Sequence, residues 1–219
     1  MKHINNIVYT NYKLEYPVPD IVNDLDWRTI LPPPPLNDSN TTISELEDIS
    51  KYTSRLSEAN KILVYQIDDA PNFLLYSFLE KNNIKFSFGY FQSISRIVLP
   101  IMKNIKYFYN RPRPYDLGPM FDIPIKILHT DTHHTPAYPS GHTVYTSLAC
   151  DIIKKQYDSS KIHNELNNIV QTTAECRMMQ GVHYHSDNQA SIKLTNLIYN
   201  HLYHKMELNY YGQNIFSTK

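Results

Sequence analysis

The sequence predicts an all-α protein, on three observations. From Thr41 onward, apolar residues recur at the spacing of amphipathic helices. No segment shows the alternation of apolar and polar residues that a β-hairpin requires. The chain has 219 residues, the length of one domain, and such a domain buries roughly 70% of the surface that its unfolded chain exposes. We therefore expect one compact bundle of about seven to nine helices.

Composition divides the chain into three segments. Residues 1–30 mix Tyr, Asn, Pro and Asp without a sustained period, which predicts an irregular N-terminal arm. Four consecutive prolines at 32–35 favour a stiff connector in polyproline II geometry over a partner-binding motif. Residues 31–207 are expected to form a single helical domain, and 208–219 a C-terminal tail.

The helices follow in order from their periodicity. The first pattern runs from Ile43 to Ala59, with acidic residues in its first turn, where the helix dipole favours them. The next begins after Pro71, which a first turn tolerates. A long third pattern, kinked near Pro100, ends before Pro112. Later helical patterns lie at 141–156, 162–179 and 184–207.

Charge and hydropathy exclude several classes of protein. The chain has 21 basic and 21 acidic side chains, a balance that argues against a general nucleic-acid binder. No stretch reaches the roughly 18 to 20 apolar residues of a membrane-spanning helix, and the N-terminus lacks the apolar core of a signal peptide. Cys150 and Cys176 have no metal-ligand or disulfide pattern, and are expected to be reduced thiols. These features predict an intracellular (cytoplasmic) or virion-associated protein, and they leave a homo-oligomer open.

A first group of polar residues follows the long third helix. Lys106 and Arg113 are seven residues apart, close to two helical turns, so both cations can approach one anion. Pro112 and Pro114 stop the helix and fix the backbone around Arg113. The alternative is a basic helix end that complements the dipole, and Arg111 competes with Arg113 for the anion.

A second group opens the helix at 141–156. Ser140 is a suitable N-cap, and Gly141 permits close approach of a ligand to the backbone. The amides of Gly141 and His142 would face an anion from the helix N-terminus, and His142 adds a proton donor. The alternative is an ordinary capped helix with a surface histidine.

A third group spans the turn between the last two helices. Gly181 predicts the end of one helix, with Arg177 in its last turn and His183 at the start of the next. His183 and Asp187 are four residues apart on one helical face, so the carboxylate can fix the tautomer of the imidazole. The alternative is a His/Asp pair on a helix surface, and His185 should face elsewhere. Taken together, the three groups supply cations, neutral donors and two histidines for a phosphate-like oxyanion.

The order and spacing of these groups resemble the three-part signature of the type 2 phosphatidic acid phosphatase and vanadium haloperoxidase superfamily. The form Tyr138-Pro-Ser-Gly-His-Thr143 is most similar to the soluble class A bacterial non-specific acid phosphatases, as are the prolines at 32–35 and the sequence from Gly181 to Asp187. The similarity covers about residues 30–200. This chain departs from the pattern in having Cys176 where the third motif normally has Ser, in Pro112, and in lacking a visible export signal.

The resemblance implies an all-α bundle of the acid phosphatase/vanadium haloperoxidase type and a metal-independent phosphomonoesterase without a cofactor. His183 would be the nucleophile that forms a phosphohistidine, with Asp187 behind it and His142 as general acid and base. The substrate would be a small phosphomonoester, and vanadate an inhibitor. The residues that would bind phosphate are Lys106, Arg113, Ser140, Gly141 and Arg177.

Three alternatives remain open. A vanadate-dependent haloperoxidase would hold vanadate as a cofactor on His183, although such enzymes are generally much larger. A membrane lipid phosphatase would need spanning helices that the sequence lacks. A third possibility is a non-catalytic phosphate-binding or structural protein on the same scaffold.

Two further sets of residues have weaker patterns. The histidine-rich loop with His129, Asp131, His133 and His134 predicts a solvated segment near the site more strongly than a metal site. Several tyrosines near the motifs are expected at half-buried positions, where one or two would stack on an aromatic leaving group. These tyrosines are Tyr107, Tyr109, Tyr115, Tyr138 and Tyr184.

Overall fold

The computed structural model describes residues 16–210, and the regular elements in this range are all helical. The α-helices are α1 (Asn40–Ser54), α2 (Glu58–Asp69), α3 (Phe73–Lys81), α4 (Phe88–Tyr109), α5 (Pro114–Leu117), α6 (Gly141–Gln156), α7 (Ser160–Met179) and α8 (His185–Tyr210). Short 3-10 turns lie at Asp20–Val22 and Gly118–Phe121. The all-α prediction is confirmed. Residues 1–15 of the predicted arm and 211–219 of the predicted tail lie outside the described residues.

Serine side chains begin four of the helices. The Oγ of the residue before α1, α2, α4 and α7 accepts a hydrogen bond from the backbone N–H three residues later. Each such cap stabilises a helix by about 1 kcal/mol. The cap at Ser57 also explains a difference from the sequence prediction, since the apolar pattern from Ile43 to Ala59 is divided between α1 and α2.

Helix α6 occupies the centre of the bundle and packs against α4, α7 and α8. Its inward side chains Val144, Leu148 and Ile152 are buried. Cys150 on this helix and Cys176 on α7 are buried free thiols. The core therefore fixes the relative positions of the helices whose ends carry the three sequence motifs.

Helix α4 contains Pro100 and continues to Tyr109. Asn110 follows in the left-handed conformation, with φ of 47°, and ends the helix just before Pro112, as predicted. Because Val98, Ile101 and Ile105 of α4 are fully buried, the adjacent Lys106 is drawn into the interior at the C-terminal end of the helix.

The first described residues pack on the bundle. The backbone N–H of Tyr16 donates to Asn104 Oδ1 at 2.6 Å, and Val22 and Leu31 join the main core. Within residues 16–210, none of the helices combines the length and the hydropathy needed to cross a membrane.

Candidate active site

Polar side chains from four helix ends meet in the interior, at the end of α4, the start of α6, the end of α7 and the start of α8. Side chains of this type are normally exposed. Here His142 is half-buried, and six other polar residues of the motifs are buried. They are Lys106, Arg113, Ser140, Arg177, His183 and Asp187. The fold therefore brings together side chains from all three motifs.

Two partners fix the tautomer of His183. Its Nδ1 lies 3.1 Å from Asp187 Oδ2, and a carboxylate oxygen accepts a hydrogen, so Nδ1 carries the proton. Its Nε2 lies 2.8 Å from Arg113 Nη1, and a guanidinium only donates, so Nε2 presents a lone pair. Burial and the nearby Arg113 lower the pKa of His183 well below its usual range. The imidazole is therefore neutral, with Nε2 as its basic atom.

His183 itself lies two residues ahead of α8 rather than at its first residue.

Each of the three predicted cations has a hydrogen-bond partner in one loop, residues 130–137. Arg113 donates to the Thr135 carbonyl at 2.7 Å, and Lys106 Nζ donates to the Pro136 carbonyl at 2.7 Å. Arg177 Nη2 donates to Thr132 Oγ1 at 3.3 Å. Burial and repulsion from Arg113 lower the pKa of Lys106 well below its usual range. An anion placed between these groups would offset this repulsion.

Ser140 occupies the N-cap position of α6, but its side chain does not cap the helix. The predicted N-cap position is thus confirmed without its capping hydrogen bond, since Oγ instead lies 3.0 Å from Thr143 Oγ1. Its backbone is tied to α8, with its carbonyl accepting from Ser191 Oγ at 2.9 Å. A Cβ built on Gly141 would have no atom closer than Met102 Cε at 4.0 Å, so packing alone does not require glycine at this position.

His142 is oriented by the end of α2. Its Nε2 lies 3.0 Å from the backbone carbonyl of Asp68 and therefore carries the hydrogen. This leaves Nδ1 as the atom available to another group. Burial and the positive charge of Arg177 lower the pKa of His142 to about 3.

Three further charged residues contribute to this site, and the sequence predicts a contact with the anion for only one of them, Arg111. Asp68 is hydrogen-bonded to Arg177 Nη1 and accepts from Thr132 Oγ1 at 2.6 Å. An acidic residue in the last turn of α2 is unfavourable for the helix dipole, and this was the signal in the sequence. Arg111 binds Asp187 and Glu45 rather than competing with Arg113. The sequence predicts Glu45 only as an acidic residue in the first turn of the first helix. That placement is wrong, because α1 begins at Asn40 and has no acidic residue in its first turn. No spacing rule links Glu45 to a site so distant in the chain.

The histidine-rich loop is partly buried. His133 packs against Tyr115, with its Nδ1 3.1 Å from the Tyr115 hydroxyl oxygen, while His129 and His134 are exposed. Among residues 16–210 no group of three or more His, Cys, Asp or Glu side chains is arranged to hold a metal ion. Of the five tyrosines near the motifs, Tyr138 and Tyr184 are fully buried, and the other three are half-buried as expected.

Comparison with known proteins identifies the fold. No family model matches the sequence, and no curated protein matches it. The structure is similar to the crystal structure of a transmembrane PAP2-type phosphatidylglycerolphosphate phosphatase from Bacillus subtilis, with a TM-score of 0.52 and 15% sequence identity. The match covers 83% of this chain and 91% of that chain. The chain thus has the helical fold of the type 2 phosphatidic acid phosphatases, as its motifs predict.

Proposed function

We propose that this chain is a metal-independent phosphatase that hydrolyses phosphomonoesters through a phosphohistidine on His183. The observation that carries the proposal is the state of that imidazole. Nδ1 of His183 lies 3.1 Å from Asp187 Oδ2 and carries the proton. Nε2 lies 2.8 Å from Arg113 Nη1, and its lone pair faces the guanidinium. A neutral, oriented imidazole in a cluster of buried cations fits a nucleophile for an anionic phosphoester.

Substrate binding would release the nucleophile. Phosphate oxygens are stronger acceptors for a guanidinium than an imidazole nitrogen, because both partners are then charged. The phosphoryl group would therefore take the Nη1 donor of Arg113 and leave Nε2 free to attack phosphorus. As the Nε2–P bond forms and the ester P–O bond breaks, the Asp187 carboxylate stabilises the imidazolium that develops.

The cations and the start of α6 would bind the phosphoryl oxygens. Arg113 and Arg177 supply positive charge in a buried site, where electrostatic stabilisation is stronger than in water. Lys106 would join them, because burial and repulsion lower its pKa and a bound anion offsets the repulsion. The amide of Gly141 is a neutral donor at the same helix N-terminus. Ser140 Oγ would become a second one by turning its hydroxyl hydrogen from Thr143 Oγ1 to a phosphate oxygen. The free space beside Gly141 permits the close approach of an oxygen that this role requires.

His142 would protonate the leaving group. In the free protein, burial and then the positive charge of Arg177 lower the pKa of His142 to about 3. A bound phosphate dianion would offset that positive charge and raise the pKa of His142, so the histidine gains its proton as substrate binds. It would give this proton to the departing alkoxide and then take one from the water that hydrolyses the phosphohistidine.

The proposed substrate is a small phosphomonoester, since three cations around one nucleophile suit a single terminal phosphate group. The structural neighbour is described as a phosphatidylglycerolphosphate phosphatase, so a lipid phosphate is the second substrate class to compare. Both classes present a phosphomonoester to the same residues.

The test is a hydrolysis panel of aryl, alkyl, nucleotide and lipid phosphates, with EDTA and with vanadate. We expect EDTA-resistant and vanadate-sensitive turnover that is abolished in His183→Ala and retained in His185→Ala, because His185 is exposed and contacts Gln189. His142→Ala should slow alkyl phosphates by roughly 10²- to 10⁴-fold, and aryl phosphates less, since an aryl leaving group needs less protonation. Full activity in His183→Ala would refute the proposal, and halogenation with vanadate, peroxide and bromide would assign the site to a haloperoxidase.

A further inference from the structure

Arg111 is a buried arginine close to the nucleophile that the proposed mechanism does not use. It is 2% exposed, and its guanidinium carbon lies 3.8 Å from the centroid of the Tyr184 ring. Nη1 donates to Asp187 Oδ1 at 2.6 Å and to Ser186 Oγ at 2.8 Å. Nη2 donates to Glu45 Oε2 at 3.2 Å. The planar guanidinium thus joins a carboxylate of α1 to a carboxylate of α8.

We infer that Arg111, anchored by Glu45, is a positioning residue that fixes the Asp187 carboxylate against Nδ1 of His183. The inference deepens the proposed function and rests on it for its catalytic consequence. The orientation of the carboxylate itself is a structural property that can be measured without turnover.

Asp187 depends on Arg111 because its carboxylate is completely buried. Oδ2 accepts two hydrogen bonds, from Nδ1 of His183 at 3.1 Å and from the backbone N–H of Tyr184 at 3.0 Å. Arg111 is the positively charged partner bonded to Oδ1. A buried carboxylate that loses its charge partner either takes up a proton or rotates toward other donors. Either change would weaken its hold on the Nδ1 proton of His183.

Glu45 holds the opposite side of the guanidinium and the start of α8 together. Oε1 accepts from the backbone N–H of Ser186 at 2.6 Å, and Oε2 accepts from Ser186 Oγ at 2.9 Å. Helix α1 therefore fixes the first turn of α8, in which Asp187 lies. A lysine at position 111 would keep the charge but could not donate in two directions from one rigid plane.

The geometry separates Arg111 from the phosphate-binding cations. Arg113 contacts Nε2 of His183, the nitrogen that would bond to phosphorus. Arg111 contacts Asp187, which is bonded to the other ring nitrogen, Nδ1. The imidazole and the carboxylate thus lie between Arg111 and the phosphoryl group. Loss of Arg111 should slow the chemical step while leaving anion binding largely intact.

The test compares kcat with the inhibition constant for inorganic phosphate in Arg111→Lys and Arg111→Met, because phosphate binds without forming a bond to Nε2 of His183. We expect kcat to fall roughly 10- to 100-fold, the usual effect of losing a partner that orients a reacting ligand, and phosphate affinity to change by less than about threefold. Arg113→Met should instead weaken phosphate binding by roughly tenfold or more. The matched control is Arg96→Met at an exposed position of α4, which should leave both constants unchanged.

A second pair of variants covers the case in which the Arg111 variants do not fold. Glu45→Gln removes the charge that anchors Arg111, and Glu47→Gln is the same change at an exposed position of α1. We expect Glu45→Gln to lower kcat several-fold at unchanged affinity for inorganic phosphate, and Glu47→Gln to have no effect. Wild-type kcat in Glu45→Gln or in Arg111→Lys would overturn the inference.

A spectroscopic readout separates this inference from the proposed function. In ¹⁵N-histidine NMR spectra of the full chain, His183 should show a protonated Nδ1 in the wild type and a mixture of tautomers or faster Nδ1–H exchange in Arg111→Lys and Glu45→Gln. An unchanged Nδ1 signal in both variants would refute the positioning role. Absence of phosphatase activity in the wild type would refute the proposed function alone, because the NMR result does not depend on turnover.

Discussion

At the scale of single residues, Asp68 is an internal anion at the edge of the proposed phosphate site. It is hydrogen-bonded to Arg177, and its Oδ1 lies 3.9 Å from Nε2 of His142. Arg177 and the hydrogen bond from Thr132 outweigh its desolvation and lower the pKa of Asp68 to about 2. Asp68 therefore stays charged at any ordinary pH. It lowers the net positive charge that a substrate would meet, and it favours the protonated form of His142.

Replacing Asp68 with Asn should affect binding and turnover in opposite directions. The amide oxygen of Asn can still accept from Arg177 and Thr132, so the geometry is largely kept while one negative charge is lost. The site becomes more positive, and vanadate should bind several-fold more tightly. His142 becomes harder to protonate, so kcat for alkyl phosphates should fall. Steady-state kinetics with vanadate inhibition measures both, and weaker vanadate binding would contradict this account of Asp68.

Much of the site could be predicted at this scale, because the three motifs carry their spacing in the sequence. Residues from all three motifs meet in the buried cluster, although their catalytic roles stay proposals. Asp68 and Glu45 could not be assigned, since they come from helices whose approach to the site depends on packing rather than on spacing. Arg111 and Arg113 could not be distinguished, because the direction of each side chain is set by partners distant in the chain.

At the scale of elements, the ends of helices hold the polar side chains of the candidate site, and short turns fix where those helices end. One of these turns, residues 180–184, connects α7 to α8. Gly181 has φ of +83°, and a Cβ there would lie 3.0 Å from Ile125 Cγ2 and 3.4 Å from Thr53 Cγ2. Left-handed backbone and lack of space both require glycine. This turn sets the distance between Arg177 and His183.

Gly181→Ala should therefore destabilise the fold by about 1 to 2 kcal/mol, and should also lower kcat by moving His183 relative to Arg177. Gly89→Ala is the matched control, because a Cβ at that helical position meets nothing within 4 Å. The control should be neutral or stabilising by up to about 1 kcal/mol. Chemical denaturation of both variants measures the difference, and equal stability would show that the turn does not need glycine.

The helices themselves were largely predictable because their apolar periodicity is long and regular. The patterns at 141–156, 162–179 and 184–207 correspond to α6, α7 and α8 within a few residues. The break between α1 and α2 was missed, since the apolar positions keep helical spacing across it. The interruption depends on Ser57, whose cap competes locally with continuation of the helix.

At the scale of the whole molecule, zero net charge conceals a buried concentration of positive charge. Lys106, Arg113 and Arg177 lie in the interior, and two neighbouring histidines have pKa values below the ordinary value of 6.5. Desolvation is the largest cause for both histidines, followed by repulsion from an arginine. Folding without a bound anion therefore desolvates these groups and brings their positive charges together. The free energy that this costs would be offset by an anion.

This arrangement predicts that the free protein loses stability on acidification. As the pH drops below about 6.5, His142 and His183 take up protons in the unfolded chain but stay neutral in the folded protein. The free energy of unfolding therefore falls with decreasing pH. Each buried histidine contributes a slope of about 1.4 kcal/mol per pH unit. The check is denaturant unfolding between pH 7 and pH 4.5, with and without inorganic phosphate. Phosphate should reduce the slope, and a free energy of unfolding that does not change with pH would contradict the assignment of neutral buried histidines.

The central claim is that His183 carries the phosphoryl group during turnover. Its most direct test mixes the enzyme with a ³²P-labelled aryl phosphate and quenches the reaction rapidly without acid. The labelled peptide is then mapped. The account predicts an alkali-stable, acid-labile phosphoryl group on His183 that builds up in His142→Ala and is absent from His183→Ala. A turning-over enzyme with no label on His183, or with label on another residue, would contradict it.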